Sequence, residues 1–374
     1  MFLGKGLTLG KIFGITIRID YSWFIIFILI TQSFASQYFY ETPKFDLASS
    51  IFLGIVTSLL IFTSVLIHEL SHSVVGNRYG AKIKRITLFI FGGAAELTDE
   101  PSSSGVEFKM AIVGPLASFV LGFLMWGVLI LAKNSEWPIQ VQAIAESLRY
   151  FNFAVGIFNL LPGYPLDGGR ILRSFLWWRR HDLISATAIA SGFGKALGFG
   201  FMLIGLGLFI FGDAPSGIWL AFIGFFLSSA AGMSLQESRL RVILSKVKVS
   251  DLMTKQVESV KSDLIISDLI DQYLLKRRLS GYPVLKNGKL AGMIYVEDIA
   301  KKGHARKDAN ILTVATKLNK KQIVTPGTPA LQALKIMGQY RLPSLPVLRD
   351  GELVGIISQT DVNYFLTVKS VAFD

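Results

Sequence analysis

The run from Ile51 to Val75 is apolar and long enough to cross a bilayer, yet it carries three ionisable side chains in His68-Glu69-Leu70-Ser71-His72. Such groups are costly at membrane depth unless they face a partner or a wet cavity, so the run predicts a helix buried on one side and equipped for chemistry there. At helical spacing two His four residues apart share a face and can both reach one metal ion, while the Glu between them can act as general base on a water at that metal. The competing reading is a chance match on an ordinary helix. Leu59-Leu60-Ile61-Phe62 and Val65-Leu66-Ile67 immediately before the pattern argue against a solvated surface.

The chain of 374 residues is 51% hydrophobic and offers further apolar runs at Tyr21–Ala35, Met110–Leu131, Ile144–Leu161, Leu183–Phe211 and Ile218–Met233. The expected fold is a polytopic α-helical membrane domain of about six transmembrane helices. The first run lacks a small-residue cleavage pattern and is read as retained. Lys5, Lys11 and Arg18 precede it; Arg78, Lys82, Lys84, Arg85 and Lys109 lie between the second and third runs; Arg170, Arg173, Arg179 and Arg180 follow the fourth. The other connections hold little beyond Lys44 and Lys133 and include Glu41, Asp46, Glu136 and Asp213. The positive-inside rule then places both termini in the cytoplasm, in a multi-pass protein of the cell (plasma or inner) membrane. A net charge of +12 is explained by contact with an anionic leaflet, without nucleic acid.

Cysteine is absent, so thiolate zinc sites and disulfides are excluded and a metal must use His or carboxylate. Of the four His, His181 follows Arg179-Arg180 at an expected membrane surface and His304 lies in the polar C-terminal part, so the third ligand is expected to be a carboxylate at the depth of His68 and His72. Counted from Ser50, His68 is about 27 Å along its helix, near the far edge of a hydrocarbon core roughly 30 Å thick. The fourth run, entering from the opposite side, reaches that depth near Asn159, where Asn159-Leu160-Leu161-Pro162-Gly163-Tyr164-Pro165-Leu166-Asp167-Gly168-Gly169 breaks the helix. Asp167 is thus expected on a loop that approaches a neighbouring helix. An ordinary interfacial turn with a solvated Asp167 is the alternative.

Together the two stretches resemble the site-2-protease family of intramembrane zinc metalloproteases, over roughly residues 1 to 235. The resemblance implies one zinc ion held by His68, His72 and Asp167, with Glu69 as catalytic base and acid, and Asn159 positioning substrate or stabilising the oxyanion. It implies a transmembrane or membrane-associated protein substrate, cleaved near the cytoplasmic face. Gly114-Pro115-Leu116-Ala117-Ser118 resembles a family sequence that often ends in Asn, where this chain has Ser118. Lys82 to Leu97, basic and then apolar up to Gly92-Gly93, suggests a short re-entrant β-hairpin whose edge could pair with an unwound substrate; a surface hairpin without a catalytic role is the alternative.

Polar composition begins near Val249. Pro283-Val284-Leu285-Lys286-Asn287-Gly288-Lys289-Leu290 is echoed 63 residues later by Pro346-Val347-Leu348-Arg349-Asp350-Gly351-Glu352-Leu353, which predicts strand, tight turn, strand and helix twice. The pair resembles a tandem of CBS domains, an α/β unit. That resemblance implies binding of an adenine nucleotide (ATP, ADP or AMP) through Ser358, Asp361 and Asp298, and association into a homodimer. Tyr295 stands where a small hydroxyl residue would match Ser358, and both Asp residues can also serve as helix caps. The expected division is a membrane metalloprotease domain at 1–235, a basic linker at 236–248, and CBS domains at 249–306 and 307–374. A CBS-regulated transporter or channel is the competing class, for which no repeat among the spans is visible. A catalytically silent membrane scaffold is a third.

Overall fold

A computed structural model describes residues 6–40, 45–90, 92–95, 101–276, 279, 281–302 and 308–371. Lys5, Glu41, Lys44, Phe91, Leu97 and His304 lie outside the described residues. The chain divides into two compact units, Met1–Gln236 and Glu237–Asp374.

The first unit opens with a hairpin that the sequence reading did not foresee, β1 (Gly6–Ile12) and β2 (Ile15–Asp20). Its two-residue turn, Phe13-Gly14, has φ of 50° and 78°, the positive values a tight hairpin requires. The helices α1 (Ser22–Tyr40) and α2 (Leu47–Arg78) follow, then β3 (Arg85–Phe89) and β4 (Gly92–Ala95). The expected short hairpin at Lys82–Leu97 is therefore present, as half of a larger sheet. The order is β1-β2-β3-β4, with β2 and β3 parallel and both outer pairs antiparallel. The two-residue periodicity of Ile15, Ile17 and Ile19 buries all three against the face that also holds Ile86 and Leu88. That alternation was the available signal for β2.

Next come α3 (Ser104–Asn134), α4 (Ile139–Asn159), α5 (Asp167–Arg180), α6 (Leu183–Ile210) and α7 (Ala214–Lys246). Among the described residues five helices are long and apolar enough to cross a membrane: α1, α2, α3, α6 and α7. The sixth expected run, Ile144–Leu161, falls on α4. Its 21 residues span about 31 Å, but Gln140, Gln142, Glu146 and Arg149 lower its hydropathy, so it is not among the five. α2 packs against α1, α3 and α4, and α3 also against α5. Polar groups inside this bundle bond one another: Tyr38 Oη pairs with Thr57 Oγ1 at 2.9 Å and Ser147 Oγ at 3.0 Å, and Asn152 Nδ2 donates to Ser64 Oγ at 3.2 Å. The segment expected as a basic linker is helical as far as Lys246.

The second unit contains α8 (Val249–Leu252), β5 (Val260–Lys261), α9 (Ile266–Leu269), β6 (Gly281–Lys286), β7 (Lys289–Tyr295), α10 (Val296–Lys302), α11 (Ala330–Tyr340), β8 (Ser344–Arg349), β9 (Glu352–Ser358) and α12 (Gln359–Val371). The offset of 63 residues holds for both strands of each hairpin and for the start of the helix that follows. Asn287-Gly288 and Asp350-Gly351 both turn with positive φ, and each hairpin is bulged at the matching place, Val284/Leu285 and Val347/Leu348. The alternate apolar residues Tyr282, Val284, Leu345 and Val347 are fully buried.

Candidate metal centre

α2 is capped by Asp46, whose carboxylate accepts from Ser49 N at 2.8 Å, and runs from Leu47 without interruption for 32 residues. Its straight 3.6-residue repeat puts His68 and His72 one turn apart on the buried face, each 5% exposed. Their Nε2 atoms are 3.2 Å apart. Asp167 Oδ2 lies 3.1 Å from both. Among the described residues this is the one group of three His, Asp or Glu side chains whose potential ligand atoms converge.

The two imidazoles are held from behind by one stripe of α3. His72 Nδ1 donates to the Met110 carbonyl at 2.5 Å, and His68 Nδ1 pairs with Ser118 Oγ at 2.9 Å. Between these partners, one turn from each, sits Gly114, and a Cβ there would lie 2.1 Å from His72 Nε2. A glycine is therefore required for α3 to approach the rings this closely. A carbonyl can only accept, so the proton of neutral His72 resides on Nδ1 and its Nε2 presents a lone pair. That lone pair faces a second ring nitrogen and a carboxylate oxygen, an arrangement a cation would stabilise. Ligands about 2.0–2.1 Å from a tetrahedral zinc are separated by roughly 3.3 Å, close to the spacing seen, and a His, His, carboxylate set leaves one coordination position open. The residues fit zinc. Fixing the second ring nitrogen in this way is also how metal-binding His residues are oriented.

Asp167 is delivered differently from the expectation. It is the first residue of α5, rather than part of a loop, and is 7% exposed. Ahead of it the chain turns on short backbone bonds, Gly163 N to Leu161 O at 2.8 Å and Leu166 N to Gly163 O at 2.9 Å, while Tyr164 N donates to Ala190 O of α6 at 3.0 Å. The turn folds back onto the first residues of α5: a Cβ on Gly168 would lie 2.2 Å from the Leu160 carbonyl oxygen. A carboxylate at a helix N-terminus is favoured by the helix dipole. α5 is then pinned to α3 by a buried ion pair, in which Arg173 Nε donates to Glu107 Oε1 at 2.7 Å and Arg173 Nη2 bonds the same oxygen. The Arg173 guanidinium also lies over the Tyr164 ring, 4.8 Å from its centroid.

Glu69 is half-buried and points toward β4, where a Cβ on Gly93 would be 2.3 Å from Glu69 Cγ and 3.1 Å from its Oε1. Among the described residues β4 is an outer strand of its sheet, and Glu69 lies against it at Gly93. Asn159 ends α4, and its Nδ2 donates to Val155 O of its own helix at 3.0 Å, away from the three converging side chains. In the second unit Asp361 Oδ2 accepts from Ser358 N at 2.8 Å and Ser358 Oγ at 2.7 Å, a cap at the start of α12. Asp298 Oδ2 accepts from Thr316 Oγ1 at 2.9 Å. Tyr295 is buried and donates its hydroxyl to the Ser344 carbonyl at 2.9 Å.

The structure brings together His68, His72 and Asp167, the three ligands expected from the resemblance, and sets Glu69 beside Gly93. Gly114 and Ser118 stand in a motif to which the sequence assigns no role, and Met110 is not singled out there, although the spacing of 110, 114 and 118 on one helix face is legible.

The family model described as peptidase family M50 matches residues 56–134 and 127–205, and the CBS domain model matches 249–305 and 314–367. The chain is 30% identical to Rip3 of Mycobacterium tuberculosis over 367 residues, covering 97% of this chain and 93% of that protein. It is 32% identical to the zinc metalloprotease MJ0392 of Methanocaldococcus jannaschii over 360 residues, covering 96% of each. A solved structure of the site-2 protease from Methanocaldococcus jannaschii is 30% identical and covers 62% of this chain and 95% of that one, with a TM-score of 0.43. The chain belongs to peptidase family M50, the site-2-protease family of membrane zinc metalloproteases, and carries a C-terminal pair of CBS domains.

Proposed function

We propose that the protein is an intramembrane endopeptidase in which His68, His72 and Asp167 hold one zinc ion and Glu69 transfers the proton. The observation that carries this reading is the convergence of two imidazole nitrogens and one carboxylate oxygen at 3.1–3.2 Å in a buried position. Zinc, when bound, supplies Lewis acidity that activates water and polarises a peptide carbonyl. Glu69 accepts a proton at its carboxylate from the attacking water and returns it to the departing amide nitrogen. Met110 O and Ser118 Oγ keep the two rings from turning. The edge of β4 accepts an unwound stretch of substrate backbone by strand addition, which places the scissile bond beside Glu69. Asn159 orients the substrate carbonyl once substrate is present.

The substrate is a membrane-spanning or membrane-associated protein cut near the cytoplasmic face. The protein resides in the cell membrane with both termini in the cytoplasm, as its Lys and Arg distribution supports. Residues 1–235 form the protease domain, 236–248 a basic connection, and 249–306 and 307–374 the two CBS domains. These bind adenine nucleotide (ATP, ADP or AMP), chiefly at Ser358 and Asp361 and less at Asp298, and pair into a homodimer. Nucleotide state adjusts substrate engagement.

The test is Glu69→Gln in the full-length protein. We expect it to fold, retain zinc and leave a co-expressed membrane substrate uncut; cleavage at the wild-type rate overturns the mechanism. A zinc-loaded wild type that cuts nothing in a membrane proteome would support the scaffold reading. Calorimetry of the full-length protein with ATP, ADP and AMP addresses regulation separately, and no heat with any of them removes it.

A further inference from the structure

The two faces of α5 have opposite character. One buries Asp167, Gly168, Gly169, Arg173 and Ser174 against the bundle. The other exposes Phe175 at 56% and Trp178 at 61%, with their ring centroids 6.1 Å apart. Arg179 and Arg180 follow directly and are also exposed. With 14 residues the helix is about 21 Å long, too short to cross a hydrocarbon core of roughly 30 Å. Its C-cap, His181, is two residues before Leu183, where the apolar helix α6 begins. The last turn of α5 therefore lies at a membrane face. There Arg180 Nη1 donates to Ser185 Oγ at 3.3 Å, which steers that guanidinium toward the start of α6. Exposed aromatic rings beside arginines at the end of an apolar helix match the chemistry of the headgroup layer, where the rings sit among acyl carbons and the guanidinium groups meet phosphate.

The same short helix begins with Asp167. About 17 Å of regular backbone separates that carboxylate from Trp178, and the Arg173–Glu107 pair fixes the middle of the helix to α3. The last turn and the Asp167 carboxylate thus belong to one short helix, so the seating of one end bears on the position of the other. We propose that Phe175, Trp178, Arg179 and Arg180 form a binding surface for anionic lipid headgroups, and that lipid bound there holds Asp167 against His68 and His72. This rests on the reading of those three residues as the metal site. Inorganic phosphate offers the same oxygens but lacks acyl chains to receive the two rings, so the ligand is a lipid.

The absence of cysteine makes the test direct, because Phe175→Cys gives a single site for a nitroxide label in the full-length protein. The labelled protein is reconstituted in vesicles of phosphatidylcholine alone and of phosphatidylcholine with one third phosphatidylglycerol. Accessibility to oxygen and to a water-soluble nickel chelate then reports depth. We expect a shallow membrane depth for the label, and zinc affinity of the unlabelled protein about fivefold tighter in the anionic vesicles, the attraction of one basic residue to such a surface. Arg179→Gln with Arg180→Gln should remove that difference, and inorganic phosphate added to neutral vesicles should not reproduce it. A label in water in both vesicles, equal zinc affinity in both, or full replacement of the lipid by phosphate overturns the proposal. If no zinc binds in either vesicle, the metal reading fails, and the depth of the label still decides whether α5 is seated in lipid.

Discussion

A Cβ on Gly114 would sit 2.1 Å from His72 Nε2 and 2.7 Å from His68 Nε2, so the helix backbone of α3 occupies the closest approach that the two rings allow. Substituting Gly114→Ala forces ring nitrogens away from their common point while leaving the apolar surface of α3 unchanged. We expect a folded protein that loses zinc and at least about 100-fold in cleavage. Metal analysis of the purified variant checks this, and wild-type zinc content would refute it.

Ser118 acts one turn further along the same stripe, through His68 Nδ1 at 2.9 Å. Ser118→Ala leaves that ring free to turn and should weaken zinc binding by about 10–100-fold, the usual effect of removing such a partner. Ser118→Asn restores a hydrogen-bonding side chain and should recover most of the affinity. Competition with a chelator of known zinc affinity measures both.

Gly93 gives the opposite separation of binding from chemistry. Its added Cβ would strike Glu69 Cγ, which can swing away at little energetic expense, and the three atoms nearest to it all belong to Glu69. Gly93→Ala should therefore keep its zinc and its fold but lose about 100-fold in turnover, because the base is misplaced. Loss of zinc in this variant would show that β4 supports the ligands instead.

The buried Glu107–Arg173 pair joins α3, which orients the imidazoles, to α5, which carries the carboxylate. Arg173→Met leaves the Glu107 carboxylate buried without its guanidinium and should destabilise the protein by about 3–5 kcal/mol. Thermal unfolding in detergent reads the loss. Joint replacement of both residues by apolar ones should recover part of it.

In the second unit, burial and the nearby Asp298 carboxylate push the Tyr295 phenol above its ordinary range. A raised folded-state value means that the neutral form is favoured in the fold. Its bond to the Ser344 carbonyl persists until the phenol ionises at that raised value, so the stability it contributes is full below about pH 10, the unfolded value, and is lost as pH rises from there through the higher folded value. Protection factors across β7 and β8, corrected for the intrinsic base-catalysed exchange rate, should fall above about pH 10, and Tyr295→Phe should remove that pH-dependent fall.

Local patterns carried much of this protein. The apolar runs announced helices because hydrocarbon thickness fixes their length, and the four-residue spacing of His68 and His72 fixed a shared face before any packing was known. The lack of cysteine and the four histidines required a carboxylate, and helix length pointed to Asp167. The 63-residue echo placed every strand of the two C-terminal hairpins. Other features depended on residues distant in sequence. The pairing of β2 with β3 joins segments separated by two whole helices, and no local periodicity specifies which strands will meet. The conversion of the Asp167-Gly168-Gly169 segment into the first turn of α5 required the Leu160 and Gly163 backbone to fold over it. Whether Gly114 seats an imidazole, and whether Glu69 lies beside Gly93, are matters of approach within a few tenths of an ångström between separate elements. Sequence spacing determines which groups share a face; only tertiary packing determines what that face touches.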